Sequence, residues 1–252
     1  LSVIGVSYSL AAFPTLSRHF ADKNLKAFVE QMVITARHII FWSVPVTALF
    51  IVLRAQIVRV LLGTGRFDWN DTRLTAAALA LFSLSAVFQS LILLFVRAFY
   101  SAGHTRKPLI INLISTGILI LCTYGLVKLF YFSPDFRYFI SSLLRVEDLP
   151  GTAVLMLPLG YSIGTILNGI IHWIGFEKDF GGFSKEVKRT LFQSISASVI
   201  LGYVSYLGLN LFATFFHTDS LIGIFLQGFM AGVLGIMAGV LVLFLLKSRE
   251  LA

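Results

Sequence analysis

Apolar residues in this chain form long uninterrupted runs, without the alternation that is typical of half-buried strands. A transmembrane helix needs about 20 apolar residues to cross a hydrocarbon core of about 30 Å. Six runs reach this length, near residues 32–53, 74–96, 109–132, 152–176, 191–212 and 221–246. Because lipid offers no hydrogen-bond partners to the backbone, each run is predicted to be a helix.

A shorter apolar run opens the chain, near residues 1–14, and ends close to Pro14. It is too short to span a membrane, and the basic residue Arg18 follows it. We interpret it as the second half of a helix that begins before Leu1. The predicted fold class is therefore all-α: a polytopic integral membrane helix bundle with six full transmembrane helices and a truncated N-terminal one.

Composition supports a membrane protein, because 57% of the residues are hydrophobic and only 13% are charged. Soluble domains carry about 25% charged residues. The net charge of +8 raises the possibility of nucleic acid as a partner, but the basic residues lie between apolar runs. An anionic membrane surface explains them better, so no nucleic-acid partner is predicted. The single Cys122 excludes an internal disulfide.

The basic residues alternate between the two sides of the predicted membrane, which sets the orientation. One side carries 13 of the 20: Arg18, Lys23, Lys26, Arg37, Arg97, Arg106, Lys107, Lys178, Lys185, Lys188, Arg189, Lys247 and Arg249. The other side carries Arg54, Arg59, Arg66, Arg73, Lys128, Arg137 and Arg145. The positive-inside rule places the first side, and with it the C-terminus, in the cytoplasm.

Two of the outer loops are predicted to contain short helices. The first has Ile57, Val60, Leu61 and Leu62 on one face, ends at Gly63 and Gly65, and leaves Asp71 or Thr72 to cap the next span. The second lies within residues 136–151 and is predicted to stop at Pro150.

The last run places glycine on one helical face, at Gly228, Gly232, Gly235 and Gly239. Small residues let membrane helices approach closely. This face therefore either packs against a neighbouring helix or shapes a shallow groove for a lipid tail.

Neutral polar residues inside the runs, among them Gln89, Asn112 and Asn168, either contact a substrate or hydrogen-bond between helices. No Asp or Glu lies in the apolar interior of the six runs, so no acidic coupling site and no metal site are predicted. Arg37 and Arg97 lie at the cytoplasmic ends of two runs. Such arginines either extend to lipid phosphate or face a cavity and bind a phosphorylated substrate.

Sequence motifs of enzymes are absent: there is no HExxH, no GxSxG and no glycine-rich phosphate loop. The histidines, His19, His38, His104, His172 and His217, lack metal-ligand spacing and are interpreted as interfacial. No catalytic residue and no cofactor are predicted.

Two segments, together with the pattern of spans, resemble the MurJ (MviN) family of bacterial lipid II flippases. They are FPTLSRHFADKN at 13–24 and FYSAGHTRKP at 99–108, and LLGTGRFDWNDTRLT at 61–75 also fits a loop of that family. The resemblance implies two helical lobes around a central cavity, followed by two additional helices. The family's important arginines lie mainly in the first lobe, which has no counterpart here.

On this resemblance, residues 1–176 correspond to a truncated second lobe, 177–190 to a cytoplasmic basic loop, and 191–252 to the two additional helices and a tail. The implied partners are membrane lipid, a polyprenyl-pyrophosphate-linked sugar substrate and a missing N-terminal half of the same protein. Candidate substrate contacts are Arg18, Arg37, Arg97, Gln89, Asn112 and Asn168. In the family the two additional helices help to form a groove for the lipid tail.

The function that the resemblance implies is movement of undecaprenyl-pyrophosphate-linked peptidoglycan precursor across the bacterial inner membrane by alternating access. A related flippase for another polyprenyl-linked oligosaccharide is the nearest alternative. An integral membrane glycosyl- or acyltransferase belongs to a different class and would require a large polar loop with catalytic residues. A membrane scaffold without transport activity is a further alternative, supported only by the glycine-rich helices.

Overall fold

The structure is a computed structural model that describes residues 2–63, 67–216, 220–248 and 250. Gly65, Arg66, His217 and Arg249, for which the sequence makes predictions above, lie outside these ranges. The described helices are α1 (Ser2–Ala21), α2 (Leu25–Val52), α3 (Arg54–Leu62), α4 (Trp69–Ser83), α5 (Ala86–Ser101), α6 (Arg106–Phe132), α7 (Pro134–Leu144), α8 (Met156–Phe180), α9 (Phe183–Phe212) and α10 (Leu221–Leu245). A short 3₁₀ turn, Thr152–Leu155, precedes α8.

Among the described residues, six helical segments are long and apolar enough to cross a membrane, which confirms the predicted polytopic helix bundle. One of them combines α4 and α5 into a single span, Trp69–Ser101. This span is interrupted near Leu84, where the hydroxyls of Ser83 and Ser85 donate to the carbonyls of Leu79 and Phe82, each at 2.7 Å. Serine hydroxyls that bond to the preceding turn in this way often bend a helix.

Several helices are longer than their apolar runs. The helix α1 was predicted to end near Pro14, but it continues to Ala21 with Pro14 inside it. Proline removes one backbone hydrogen bond, yet α1 continues past Pro14, and Ala12 and Leu16 on either side of it are both buried in the core. The segment 177–190, predicted as a loop, is mostly helical, because α8 ends at Phe180 and α9 begins at Phe183.

Helix starts and ends follow local side-chain chemistry. The α4 start is closed by Asp68, whose carboxylate accepts the Asp71 N–H at 2.8 Å, while the Asp71 carboxylate accepts the Asp68 N–H at 3.1 Å. The cap is therefore Asp68 rather than Asp71 or Thr72, and Asp71 completes a reciprocal pair. The helix α7 ends at Leu144, before the predicted Pro150, and is capped by Arg145, which has a φ of 59°. Gly181 and Gly182 have φ values of 69° and 74° and supply the turn into α9.

The chain crosses the bundle repeatedly between two ends. The end that contains the α1–α2, α5–α6 and α8–α9 turns and residues 246–248 is called the tail end here. The opposite end, which contains α3 and α7, is called the α3–α7 end. Within the bundle α1 packs on α2 and α5, α6 packs on α8, and α9 packs between α2 and α10.

An aromatic cluster forms the core near the tail end, where α2, α5, α8 and α9 meet. Phe28, Phe95, Phe99, Phe176 and Phe183 are all fully buried. The Phe176 ring centroid lies 5.7 Å from that of Phe95 and 5.4 Å from that of Phe183, so the rings make edge and tilted contacts. A second apolar cluster near the α3–α7 end packs α7 and the turn after it against α4, α6 and α8.

Candidate functional site

Arg37, a predicted substrate contact, is held by protein groups at the tail end. Its Nη2 lies 2.7 Å from Oε1 of Glu250, and its Nε donates to the same oxygen at 2.8 Å and to Thr190 Oγ1 at 3.1 Å. Burial alone would raise the pKa of the Glu250 carboxyl, but hydrogen bonds from Ser248 and Arg37 outweigh it and lower that pKa below its ordinary value. The cluster ties α2 to α9 and to the segment after α10.

A cavity of about 770 Å³ lies beside Arg37, between the start of α2 and the Gly181–Gly182 turn. Its charged lining residues are Lys26, Glu30, Arg37 and Glu186. The two cations are balanced by two carboxylates, and Arg37 is paired with Glu250 as well. The cavity therefore has little net attraction for a phosphate group.

Arg97 and Arg18 have different surroundings. The Arg97 Nη1 atom donates to Ser9 Oγ at 2.7 Å and to the Val6 carbonyl at 3.1 Å, and so joins α5 to α1. Arg18 is exposed near the end of α1. The structure therefore does not bring Arg18, Arg37 and Arg97 together around one ligand position: two of them make interhelical contacts and the third faces outward.

The neutral polar candidates also contact protein groups. Asn168 Nδ2 on α8 donates to Asn112 Oδ1 on α6 at 3.0 Å, which is a hydrogen bond between two spanning helices. Gln89 Nε2 donates to Ser85 Oγ at 2.9 Å, four residues away on the same span. His172, interpreted from the sequence as interfacial, is instead fully buried, and its Nδ1 lies 3.0 Å from the Asn168 carbonyl oxygen.

The glycine face of α10 is covered by neighbouring helices over most of its length. A Cβ at Gly235 would overlap Ser205 Oγ of α9, and one at Gly239 would lie 3.1 Å from Leu201 Cδ1. A Cβ at Gly232 would lie 3.2 Å from Leu53 Cδ1. Of the two interpretations of this face, these contacts correspond to helix packing. Only Gly228 lines an open apolar groove, between α3 and α10.

The structure also reveals a cleft with three arginines that the sequence did not indicate. A cavity of about 620 Å³ opens at the α3–α7 end between α3, α4, α7 and α9, and three arginines line it: Arg54, Arg73 and Arg145. We call it the arginine cleft. The sequence showed these arginines only as basic residues on the less basic side, because they lie on three separate elements. Their wide separation along the chain left no local signal that they converge.

Only one of the cleft arginines has an acidic partner in the described part of the chain. Arg73 binds Asp148 through two hydrogen bonds, from Nη1 at 2.7 Å and from Nη2 at 2.6 Å. Within the described ranges, the half-buried Arg54 makes one long hydrogen bond, 3.4 Å from Nη1 to the Ile51 carbonyl. Burial lowers the pKa of the Arg54 guanidinium, and the nearby charge of Arg145 lowers it further.

Metal chemistry has no support among the residues described: no group of three or more His, Cys, Asp or Glu side chains there could hold a metal ion. Within the described ranges, six helices are long and apolar enough to cross a membrane, which identifies a multi-pass integral membrane protein.

Comparison with known proteins identifies the family. The family model of the lipid II flippase MurJ matches residues 1–227, so the chain belongs to the MurJ family of lipid II flippases. Similar proteins include the probable lipid II flippase MurJ of Bdellovibrio bacteriovorus, 31% identical over 119 residues, which are 47% of this chain and 23% of that protein. The corresponding protein of Thermotoga maritima is 24% identical over 207 residues, which are 71% of this chain and 42% of that protein.

A third relative, from Rhizobium meliloti, carries the same name and is 27% identical over 118 residues, 47% of this chain and 22% of that protein. The chain thus spans less than half the length of these relatives. Because all three are named as lipid II flippases, the oligosaccharide exporter and transferase alternatives raised by the sequence are not favoured.

Proposed function

We propose that this chain is part of a lipid II flippase that moves undecaprenyl-pyrophosphate-linked peptidoglycan precursor across the bacterial inner membrane. The observation that carries the proposal is the family match over residues 1–227, together with six helices in the described ranges that are long and apolar enough to span a membrane. Transport of this kind proceeds by alternating access around a cavity and changes no covalent bond. The protein therefore acts as a transporter and not as an enzyme.

The proposal assigns α1–α8 to the second lobe of a two-lobe transporter and α9 and α10 to the two additional helices. The packing supports this division, because α10 packs mainly on α9 and α9 joins the rest of the bundle mainly through α2. The first lobe would come from an N-terminal half of the same protein. The greater length of the relatives supports such a partner.

The lipid tail of the substrate would lie in the apolar groove between α3 and α10. This groove has a volume of about 280 Å³, and its walls include Leu53, Ile57, Phe225 and Phe229. Gly228 leaves space at the bottom of this groove, because a Cβ at this position would lie only 3.1 Å from Gln56 Cβ. The other three glycines of the face would hold α10 against α9 and the end of α2.

The proposed orientation places the tail end in the cytoplasm, in line with its excess of lysine and arginine. It can be tested with cysteine variants of the exposed residues Asp22 at the tail end and Asp135 at the α3–α7 end, in a Cys122→Ser background. A membrane-impermeant thiol reagent added to intact cells should label Asp135→Cys and leave Asp22→Cys unlabelled. The reverse pattern would show the opposite orientation.

The flippase activity can be tested in a bacterium whose own lipid II flippase is depleted. The complete gene that encodes this chain should restore growth and the appearance of lipid II in the outer leaflet. A membrane protein without transport activity for lipid-linked sugars, produced at the same level, serves as the negative control. If the protein reaches the membrane but lipid II accumulates in the inner leaflet, the proposal is wrong.

A further inference from the structure

The arginine cleft is lined by positively charged side chains and, among the described residues, by no carboxylate that would neutralise them. None of the residues that line it is acidic, and three are arginines. Asp148 pairs with Arg73 from the edge, which leaves Arg54 and Arg145 without an ion pair in the described part of the chain. The tail-end cavity, in contrast, has equal numbers of acidic and basic lining residues.

Arg54 and Arg145, which have no ion pair among the described residues, share one cleft, and this arrangement is unfavourable without a counterion. Arg54 is half-buried, and the charge of Arg145 acts on it directly. Because a guanidinium stays protonated at neutral pH, neither group can relieve this repulsion by losing its proton. An anion bound between them would replace repulsion by charge-assisted hydrogen bonds.

The position of Arg145 in the cleft is held by hydrogen bonds to its backbone. Arg145 caps the C-terminal end of α7 in a left-handed conformation, with φ 59°, and its carbonyl accepts hydrogen bonds from Nε and Nη2 of Arg73. Its side chain interacts with the Tyr206 side chain on α9. Arg73 therefore fixes the backbone that presents Arg145, so the cleft is formed before any ligand binds.

The remaining walls have the character of a membrane interface. Trp69 and Tyr206 line the cleft, and their side chains are exposed. Indole and phenol rings concentrate at the level of lipid head groups. Ile51, Val52 and Leu209 add apolar surface where α2 and α9 approach the same end of the bundle. The arginines could bind the phosphate group of a lipid, and the apolar walls could contact the hydrocarbon tail attached to it.

We propose that the arginine cleft is a binding site for a phosphate group, carried by a lipid head group or by a free phosphate or pyrophosphate ion. Arg54 and Arg145 bind the phosphate oxygens, while Arg73 holds the Arg145 backbone in place. The cavity volume of about 620 Å³ accommodates a lipid head group. The proposal concerns binding alone and does not depend on the flippase activity.

Binding can be measured on the purified full protein in a neutral detergent, by the rise of its unfolding temperature with ligand concentration. The ligands are phosphatidylglycerol, phosphatidylcholine, inorganic phosphate and inorganic pyrophosphate, each titrated separately. Arg54→Gln and Arg145→Gln test the two proposed contacts. Arg54→Lys retains the positive charge, and Arg137→Gln removes an exposed arginine of α7 that does not line the cleft.

The wild-type protein should bind phosphatidylglycerol more tightly than phosphatidylcholine. We expect the dissociation constant for phosphatidylglycerol to rise about tenfold in Arg54→Gln and in Arg145→Gln, from the loss of one charge-assisted contact. It should rise less in Arg54→Lys and stay unchanged in Arg137→Gln. Tighter binding of the lipid than of the inorganic ions identifies a lipid site, and the reverse order identifies a free-anion site.

Two results would overturn the proposal. One is equal binding of phosphatidylglycerol and phosphatidylcholine together with no stabilisation by phosphate or pyrophosphate. The other is an unchanged affinity for every anionic ligand in both Arg54→Gln and Arg145→Gln, provided that these variants unfold at the wild-type temperature without ligand. If Arg54→Gln does not fold, the comparison of Arg54→Lys and Arg145→Gln with Arg137→Gln decides the question.

Discussion

The Glu250 carboxylate lies 2.7 Å from Nη2 of Arg37, so an ion pair joins the segment after α10 to the first half of α2. Both side chains are largely buried, with 3% of Glu250 and 16% of Arg37 exposed. Thr190 Oγ1 donates to the same Glu250 oxygen at 3.2 Å, which adds α9 to the contact. Residues far apart in sequence thus connect the two C-terminal helices to the rest of the bundle at the tail end.

Breaking this ion pair should destabilise the protein. Removal of one partner leaves the other charge partly buried without compensation, and we expect Arg37→Met and Glu250→Gln each to lower the free energy of unfolding by about 2 kcal/mol. The double variant should lose less than the sum of the two single losses. Thermal unfolding in detergent measures all three variants. Arg18→Met, at an exposed position on α1, should leave stability unchanged, and strict additivity of Arg37→Met and Glu250→Gln would contradict the pairing.

The same ion pair predicts a dependence of stability on pH. The pKa of Glu250 in the folded protein lies below its ordinary value of 4.5. A carboxyl with a lowered pKa contributes its full stabilisation above the unfolded pKa and loses it as the pH falls through the folded pKa. Wild-type protein should therefore exceed Glu250→Gln in unfolding temperature at pH 7, and this difference should shrink as the pH is lowered below 4.5. A difference that is constant across this range would be inconsistent with an ionised Glu250.

Arg97 should act as a structural contact between α5 and α1. Loss of its hydrogen bonds to Ser9 and Val6 in Arg97→Met is expected to cost about 2 kcal/mol and to loosen α1. Hydrogen exchange of the Ser2–Ala21 amides should accelerate in this variant, while exchange in α10 stays as in the wild type. Ser9→Ala should have a smaller effect, because the Val6 carbonyl still accepts from Arg97. Unchanged exchange in α1 would instead favour a role of Arg97 outside the bundle.

The sequence was sufficient to predict the spans because hydropathy along the chain determines which segments lipid can accept. It also predicted α3 from Ile57, Val60 and their neighbours, because an amphipathic face is a local pattern. Partners of charged side chains are not local: Glu250 lies 213 residues from Arg37. The sequence also underestimated the lengths of several helices. Polar residues at helix ends, such as Arg106, lower the local hydropathy although they are helical. The burial of His172 depends on the packing of α8 against other helices, which no single run of sequence contains.

Close packing of α10 against α9 should depend on Gly235. Although alanine is favoured over glycine in a helix by about 1 kcal/mol, a methyl group at Gly235 would overlap Ser205 Oγ and lie 2.8 Å from the Leu201 carbonyl oxygen. The backbone oxygen cannot move aside independently, so the helices must separate. We expect Gly235→Ala to lower the free energy of unfolding by about 1–3 kcal/mol. The matched control is Gly117→Ala on α6, where a Cβ meets no atom within 4 Å. That variant should be neutral or slightly stabilising, and equal unfolding temperatures for the two variants would show that α10 does not pack on α9 through this glycine.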